Sequence, residues 1–114
     1  VTEAMLPFVR DAKRLLHAFR QLGYRPEKLR LVVNRLEKDV GVPIKRVEKA
    51  LNMEVHWTVP NDFANASASV NQGVPIAKLA PGSPVSRALR TCAKELAGTE
   101  QPRRGWFAQL FRSA

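Results

Sequence analysis

The chain has 114 residues, of which 45% are hydrophobic, and it carries a formal net charge of +9 at pH 7. This length and composition are typical of one small globular domain. A single cysteine excludes a disulfide within the chain, and with two histidines it leaves too few soft ligands for a structural zinc site. No run of about 18 apolar residues occurs, so no transmembrane helix is expected. The positive charge indicates an anionic partner, which could be nucleic acid, an acidic protein or an anionic lipid surface.

The first predicted element is an amphipathic helix over residues 4–22. Apolar residues recur there at spacings of three and four, with charged residues between them. Thr2 is the expected N-cap and Gly23 the expected C-terminal stop. The apolar, β-branched segment that follows predicts a strand over residues 29–34.

Two further elements follow in the same alternating order. Pro43 suits the first turn of a second helix, because proline lacks the N–H that would have no partner there. Residues 53–60 then predict a second strand in which Val55, Trp57 and Val59 alternate with polar residues. Proline cannot donate a hydrogen bond to a sheet, so Pro60 should end this strand.

The last predicted elements are two helices. The third helix covers residues 62–72, with Asn61 or Asp62 as its N-cap. Residues 74–82 read as a loop. Ser83 followed by a proline predicts the N-cap of a fourth helix over residues 84–97.

The order α-β-α-β-α-α predicts an α/β fold with a parallel sheet. Two strands make a small sheet, so apolar side chains on its faces and one unpaired edge are expected to be uncovered. These side chains are Leu31, Val33, Val55, Trp57 and Val59. The pattern is that of half of a larger α/β domain, and it predicts self-association of the chain.

Polar residues lie at the end of both predicted strands. The first strand ends at Asn34 and Arg35, and the second ends at Pro60, Asn61 and Asp62. Ligands of open parallel sheets bind at the carboxyl ends of the strands, and an amide side chain can both donate and accept at the edge of a purine ring. The alternative interpretation is purely structural: Asn34 ends a strand, and Asn61 or Asp62 caps a helix.

Residues 99–114 predict a linker and a basic amphipathic tail separate from the domain over residues 1–98. The aromatic and apolar residues of the tail fall on one side of a helical wheel, flanked by arginines. Such a segment suits an anionic membrane surface, a docking site on a partner protein, or packing on its own domain. The residues concerned are Arg103, Arg104, Trp106, Phe107, Leu110, Phe111 and Arg112.

Three segments of the sequence resemble a known family. The blocks "LVVNR", "VPND" and "NQGVPIAKLAPGSPVSRAL" are similar to the carboxyl-terminal half of MinD/ParA-like P-loop ATPases, and within these to the CpaE/TadZ branch that localises the Tad pilus assembly machinery. The resemblance implies a partial doubly wound sheet. It also implies that Asn34, with Arg35 beside it, contacts the adenine of ATP or ADP, and that Pro60, Asn61 and Asp62 line the other side of the base. Residues 71–82 would run along the pocket or a dimer face.

The resemblance also sets expectations for activity, partners and location. The 114 residues contain no "GKT" or "GKS", so the groups that hold phosphates and Mg²⁺ are missing and this chain alone is not expected to hydrolyse ATP. The implied partners are pilus and secretion proteins, and the implied location is the cytoplasm, at the inner membrane or cell pole. MinD-like relatives bind membranes through a carboxyl-terminal amphipathic helix. Nucleic-acid binding is not expected, because no helix-turn-helix or RNA-binding motif occurs. A non-enzymatic binding module is the alternative function.

Overall fold

Three parallel strands in the order β1-β2-β3 form the sheet of the computed structural model, which describes residues 1–98. The elements in chain order are β1 (Thr2–Glu3), α1 (Leu6–Gln21), a 3-10 turn (Pro26–Lys28), β2 (Leu31–Leu36), α2 (Ile44–Leu51), β3 (Val55–Pro60), α3 (Phe63–Gln72), α4 (Ile76–Leu79) and α5 (Pro84–Gly98). The predicted α/β class with a parallel sheet is confirmed. Within residues 1–98, every helix falls short of the length and hydropathy that crossing a membrane requires.

The main core lies on the side of the sheet that faces α1 and α2. Leu31 and Val33 of β2 point to this side and pack against Val9 of α1 and against Val47 and Leu51 of α2. Val33 and Val47 have no exposed surface. Apolar faces of two helices thus close over one face of the central strand, as the helical spacing of their sequences requires.

The opposite side of the sheet is covered by α5. Val32 pairs with Trp57, and paired residues of neighbouring strands point to the same side, so Trp57 lies opposite the main core. The indole N–H of Trp57 donates a hydrogen bond to Glu95 of α5. Val59 and Val85 are both buried between β3 and α5. Burial alternates along the second strand as predicted, but Val55 packs on the main core and Trp57 on the opposite side, because the register shifts between Leu31 and Val32.

The amino-terminal residues form a strand and not a helix cap. Thr2 and Glu3 pair with β2, so the expectation that Thr2 caps the first helix is wrong. The Thr2 hydroxyl donates to the carbonyl oxygen of Phe8 at 3.2 Å, and Met5 occupies the N-cap position without a side-chain bond. A two-residue strand is too short for an alternating pattern, which is why the sequence gives no sign of it.

Two other boundaries differ from the sequence-based expectations. The predicted strand over residues 29–34 lies at Leu31–Leu36, because the 3-10 turn delays its start. The predicted loop over residues 74–82 contains the single helical turn Ile76–Leu79. Both helix caps are confirmed: Asp62 accepts a hydrogen bond from the Asn65 backbone N–H, and the Ser83 hydroxyl accepts one from the Ser86 backbone N–H.

The uncovered apolar surface lies on helices and not on the sheet. Leu31, Val33 and Val59 are buried, and Val55 and Trp57 are half-buried, so the expected exposure of the sheet faces is wrong. Large apolar residues are exposed instead on α1, just beyond its end and on α3: Phe8, Leu15, Leu22, Phe63 and Val70. The predicted tail over residues 99–114, with its arginines and aromatic residues, lies outside the described residues.

Candidate functional site

A cavity of about 470 Å³ opens at the carboxyl ends of β2 and β3. We call it the strand-end pocket. The five residues that the sequence proposes for a nucleotide site all line it: Asn34, Arg35, Pro60, Asn61 and Asp62. The remaining lining comes from Val59, from α3 and from α5, through Phe63, Ala66, Ser67, Val70, Asn71 and Val85. Polar strand ends therefore form one wall, and a largely apolar helix face forms the other.

A β-bulge sets the position of Asn34 and Arg35. Val33 pairs with Thr58 and Leu36 pairs with Pro60, so β2 advances three residues while β3 advances two. Arg35 accommodates the extra residue with a φ of 52°, in the left-handed region. The sequence predicts that the strand ends at Asn34 and Arg35, but it continues to Leu36, and both residues lie within it beside the bulge.

Asn34 lines the strand-end pocket and also a cavity of about 400 Å³ beside α1. Its side chain is half-buried, and it has no hydrogen-bond partner among residues 1–98. A side-chain amide offers two donor hydrogens and a carbonyl acceptor. Buried polar groups normally find partners, so an amide left free on the wall of a cavity is well placed to bind a polar ligand.

Asp62 serves the helix that begins beside it. One of its carboxylate oxygens accepts from the Asn65 backbone N–H at 3.2 Å, and the other accepts from the Asn65 side-chain amide at 2.6 Å. The structural interpretation from the sequence therefore applies to the Asp62 side chain. Asp62 still lines the strand-end pocket, but its charge is directed to the N-terminus of α3.

Arg35 and Asn61 lie between the strand-end pocket and a second cavity of about 390 Å³. On the side of the second cavity, the Arg35 guanidinium pairs with Glu3 at 3.5 Å, and the Asn61 amide donates to Glu37. The backbone N–H of Asn61 also donates to the Leu36 carbonyl oxygen at 3.0 Å. This wall is thus built from β1, β2 and β3 together.

The sequence does not predict the apolar wall on α3 as part of a site. Phe63, Ala66 and Val70 recur at helical spacing, which predicts a face packed on the core, yet Phe63 is 72% exposed and Val70 is 81% exposed. The signal that could have identified them is their position directly after the polar end of a strand. Exposed apolar side chains beside unused polar groups are typical of ligand sites.

No protein-family model matches the chain, and no curated protein sequence matches it. Among solved structures, the chain is similar to the crystal structure of a ParA family ATPase from Chlorobium tepidum TLS, with a TM-score of 0.68 and 23% sequence identity. The likeness covers 76% of this chain and 36% of that chain, so this chain spans little more than a third of the structure that it matches. The three-stranded sheet and its helices have the fold of part of a ParA-like P-loop domain.

Proposed function

We propose that this chain supplies the adenine-binding wall of a nucleotide site in a MinD/ParA-like ATPase. The observation that carries the proposal is the Asn34 amide, half-buried on the strand-end pocket and without a partner among residues 1–98. Adenine exposes donors and acceptors along one edge, which suits an amide, and two apolar ring faces, which suit Pro60 and Phe63. A cavity of about 470 Å³ falls within the usual range for small-ligand sites.

Phosphate binding and hydrolysis would come from residues outside this chain. The 114 residues contain no phosphate-binding loop, and such a loop with its lysine and Mg²⁺ ligand is what phosphoryl transfer requires. ATP or ADP is therefore the cofactor of a complete domain in which this chain forms one side. The solved ParA family ATPase extends well beyond the part that this chain matches, which supports such a division.

The finer assignment that we propose is to the CpaE/TadZ branch, which localises the Tad pilus assembly machinery. Its support is the sequence resemblance in the blocks "LVVNR", "VPND" and "NQGVPIAKLAPGSPVSRAL". Nucleotide-dependent assembly with another copy or with pilus proteins would use an apolar surface. The exposed side chains Phe8 and Leu15 of α1 provide one.

Adenosine binding tests the adenine wall directly. Adenosine carries no phosphate, so the net charge of +9 cannot attract it as it would attract ATP. We expect Asn34→Ala to weaken adenosine binding by about 1–2 kcal/mol, because a hydrogen bond is lost and a partner group is left unpaired. Chemical-shift titration of the 114-residue chain by NMR measures the two dissociation constants.

The matched control is Gln21→Ala, which removes an exposed amide at the end of α1, far along the chain from the pocket residues. It should leave adenosine binding unchanged. Equal affinities for the wild type and Asn34→Ala, in proteins with equal melting temperatures, would return Asn34 to a structural role. No binding by the wild-type chain would refute the adenine wall itself.

A second candidate function is attachment to an anionic surface, and the exposed basic face of α1 favours it. Five cationic or titratable side chains lie exposed on one side of this helix: Arg10, Lys13, Arg14, His17 and Arg20. The sequence of the tail over residues 103–112 adds three arginines and four large apolar residues. Together they would suit an anionic membrane or an acidic protein.

Vesicle co-sedimentation shows whether the basic face of α1 or the tail binds the anionic surface. We expect the full chain to bind vesicles that contain anionic lipid, and a chain ending at Gly98 to bind much more weakly. Each buried aromatic or leucine side chain contributes about 1.5–3 kcal/mol before ordering costs, and each nearby arginine contributes about 1 kcal/mol on a charged leaflet. Equal binding by both chains would assign the attachment to α1, and binding by neither would leave protein docking as the role of the tail.

A further inference from the structure

Glu37 fixes the orientation of the Asn61 side chain. The Asn61 Nδ2 group donates a hydrogen bond to Glu37 Oε1. A carboxylate can only accept, so the NH₂ end of the Asn61 amide, and not its carbonyl end, must face Glu37. The backbone of Asn61 is held as well, through its N–H to the Leu36 carbonyl oxygen. Both the main chain and the side chain of Asn61 are therefore anchored to the end of β2.

The fixed orientation determines which end of Asn61 is available to a ligand. Glu37 lines the cavity of about 390 Å³ and not the strand-end pocket, whereas Asn61 lines both. With its NH₂ group held on the Glu37 side, Asn61 has its carbonyl oxygen turned away from Glu37. This Oδ1 atom has no hydrogen-bond partner within residues 1–98. Asn61 can thus offer the strand-end pocket an acceptor.

We propose that Glu37 is a positioning residue that makes the pocket select purines with an amino group at position 6 over purines with a carbonyl group there. The proposal rests on the adenine site proposed above. The 6-amino group of adenine can donate to Asn61 Oδ1, whereas the 6-carbonyl oxygen of hypoxanthine or guanine would place two acceptors face to face. Asn34 cannot enforce this choice, because its unbonded amide can rotate to present either end.

Two variants distinguish the effect of the Asn61 side-chain orientation from the effect of losing a negative charge. Glu37→Gln keeps the shape of the side chain, but a glutamine can donate to Asn61 Oδ1 or accept from Asn61 Nδ2, so the Asn61 amide is free to turn. Glu3→Gln removes the same charge from the same cavity, but Glu3 pairs with Arg35 and forms no hydrogen bond with the Asn61 amide within residues 1–98. Glu37 is exposed, so its replacement should not impair folding.

The experiment is an NMR titration of the full chain with adenosine and with inosine, which differ in the group at position 6. We expect the wild type to bind adenosine roughly tenfold more tightly than inosine, the scale of one well-placed base contact. In Glu37→Gln this ratio should fall by roughly threefold or more, the scale of one hydrogen bond. The fall should come mainly from tighter inosine binding, and Glu3→Gln should keep the wild-type ratio. The side-chain NH₂ signals of Asn61 should shift in Glu37→Gln before any nucleoside is added.

The possible outcomes separate this inference from the proposed function. An unchanged ratio in Glu37→Gln, or an equal fall in Glu3→Gln, would overturn the role of Glu37 while leaving the adenine site in place. Equal binding of adenosine and inosine by the wild type would do the same. A wild-type chain that binds neither nucleoside would refute the adenine site, and the role of Glu37 with it.

Discussion

Arg35 has an unusual backbone conformation and also lines the strand-end pocket. Its φ of 52° lies in a region that costs an L-residue other than glycine about 1–2 kcal/mol. Its ion pair with Glu3 offsets little of this cost, because the side chains are 58% and 27% exposed and exposed pairs contribute about 0–1 kcal/mol. The bulge beside Asn34 therefore requires a strained backbone at Arg35. Backbone strain of this kind is often found at functional sites.

Two replacements of Arg35 separate the backbone strain from the ion pair. Arg35→Ala and Arg35→Gly both remove the contact with Glu3, but only glycine adopts a positive φ without a steric cost. We therefore expect the glycine variant to be more stable than the alanine variant by about 1 kcal/mol. Urea denaturation followed by circular dichroism measures the difference. Equal stabilities would mean that the bulge rearranges when the arginine is removed.

The connection between β2 and α2 shows how elements fix one another. It contacts the residue that follows β1, where the Val42 backbone N–H donates to the Ala4 carbonyl oxygen at 2.7 Å. Gly41 has a φ of +80° and approaches so closely that a Cβ atom there would lie 2.2 Å from the same oxygen. This contact holds the loop that carries Glu37 against the first strand.

Gly23 serves as a control for the close approach of Gly41 to the Ala4 carbonyl oxygen. It has a φ of +83°, nearly that of Gly41, but a Cβ atom there would meet no atom within 4 Å. Gly23→Ala should lower the free energy of unfolding by about 1 kcal/mol, the conformational cost alone. Gly41→Ala should lower it by about 1–3 kcal/mol more, because the loop must move and the bond to Ala4 is lost. Similar losses from the two variants in thermal denaturation would show that the loop is not held at Gly41.

The elements that sequence predicts best are those with local signals. The helix over Phe63–Gln72 begins at its capping Asp62 and ends at Gly73, because caps and left-handed glycines act within a few residues. Strand β1 was missed because only its pairing with β2 defines it. The sequence does not predict the pairing of Glu37 with Asn61 for the same reason, since the two residues are 24 positions apart and meet only because β2 and β3 pair.

At the scale of the whole molecule, the apolar surface of α1 is wider than the core that it covers. Val9 is buried, but Phe8, Leu15 and Leu22, each seven residues from the next, remain exposed. Phe8 and Leu15 border a cavity of about 400 Å³ that reaches Leu31 of β2. A helix with an uncovered apolar stripe normally packs against another surface, so we still predict self-association of the chain.

The apolar surface of α1 favours self-association, whereas the net positive charge of each copy opposes it. Two copies that each carry a net charge of +9 repel, and the repulsion is screened as salt is added. Binding to a nucleic acid has the opposite dependence, because released counterions make it weaker at high salt. The sign of the salt effect therefore tells which kind of contact the molecule makes.

We predict that the chain forms dimers or larger species more readily as the salt concentration rises from about 0.1 M to about 1 M, over which the Debye length shortens from about 10 Å to about 3 Å. Leu15→Gln should weaken the association, because a leucine side chain contributes about 1.5–3 kcal/mol when it is buried. Val70→Gln should not weaken it, because Val70 lies on α3 and does not border the cavity beside α1. Sedimentation velocity at a series of salt concentrations measures these changes. An association that weakens as salt is added would mean that ionic contacts hold the copies together, and a loss in Val70→Gln alone would assign the contact surface to α3.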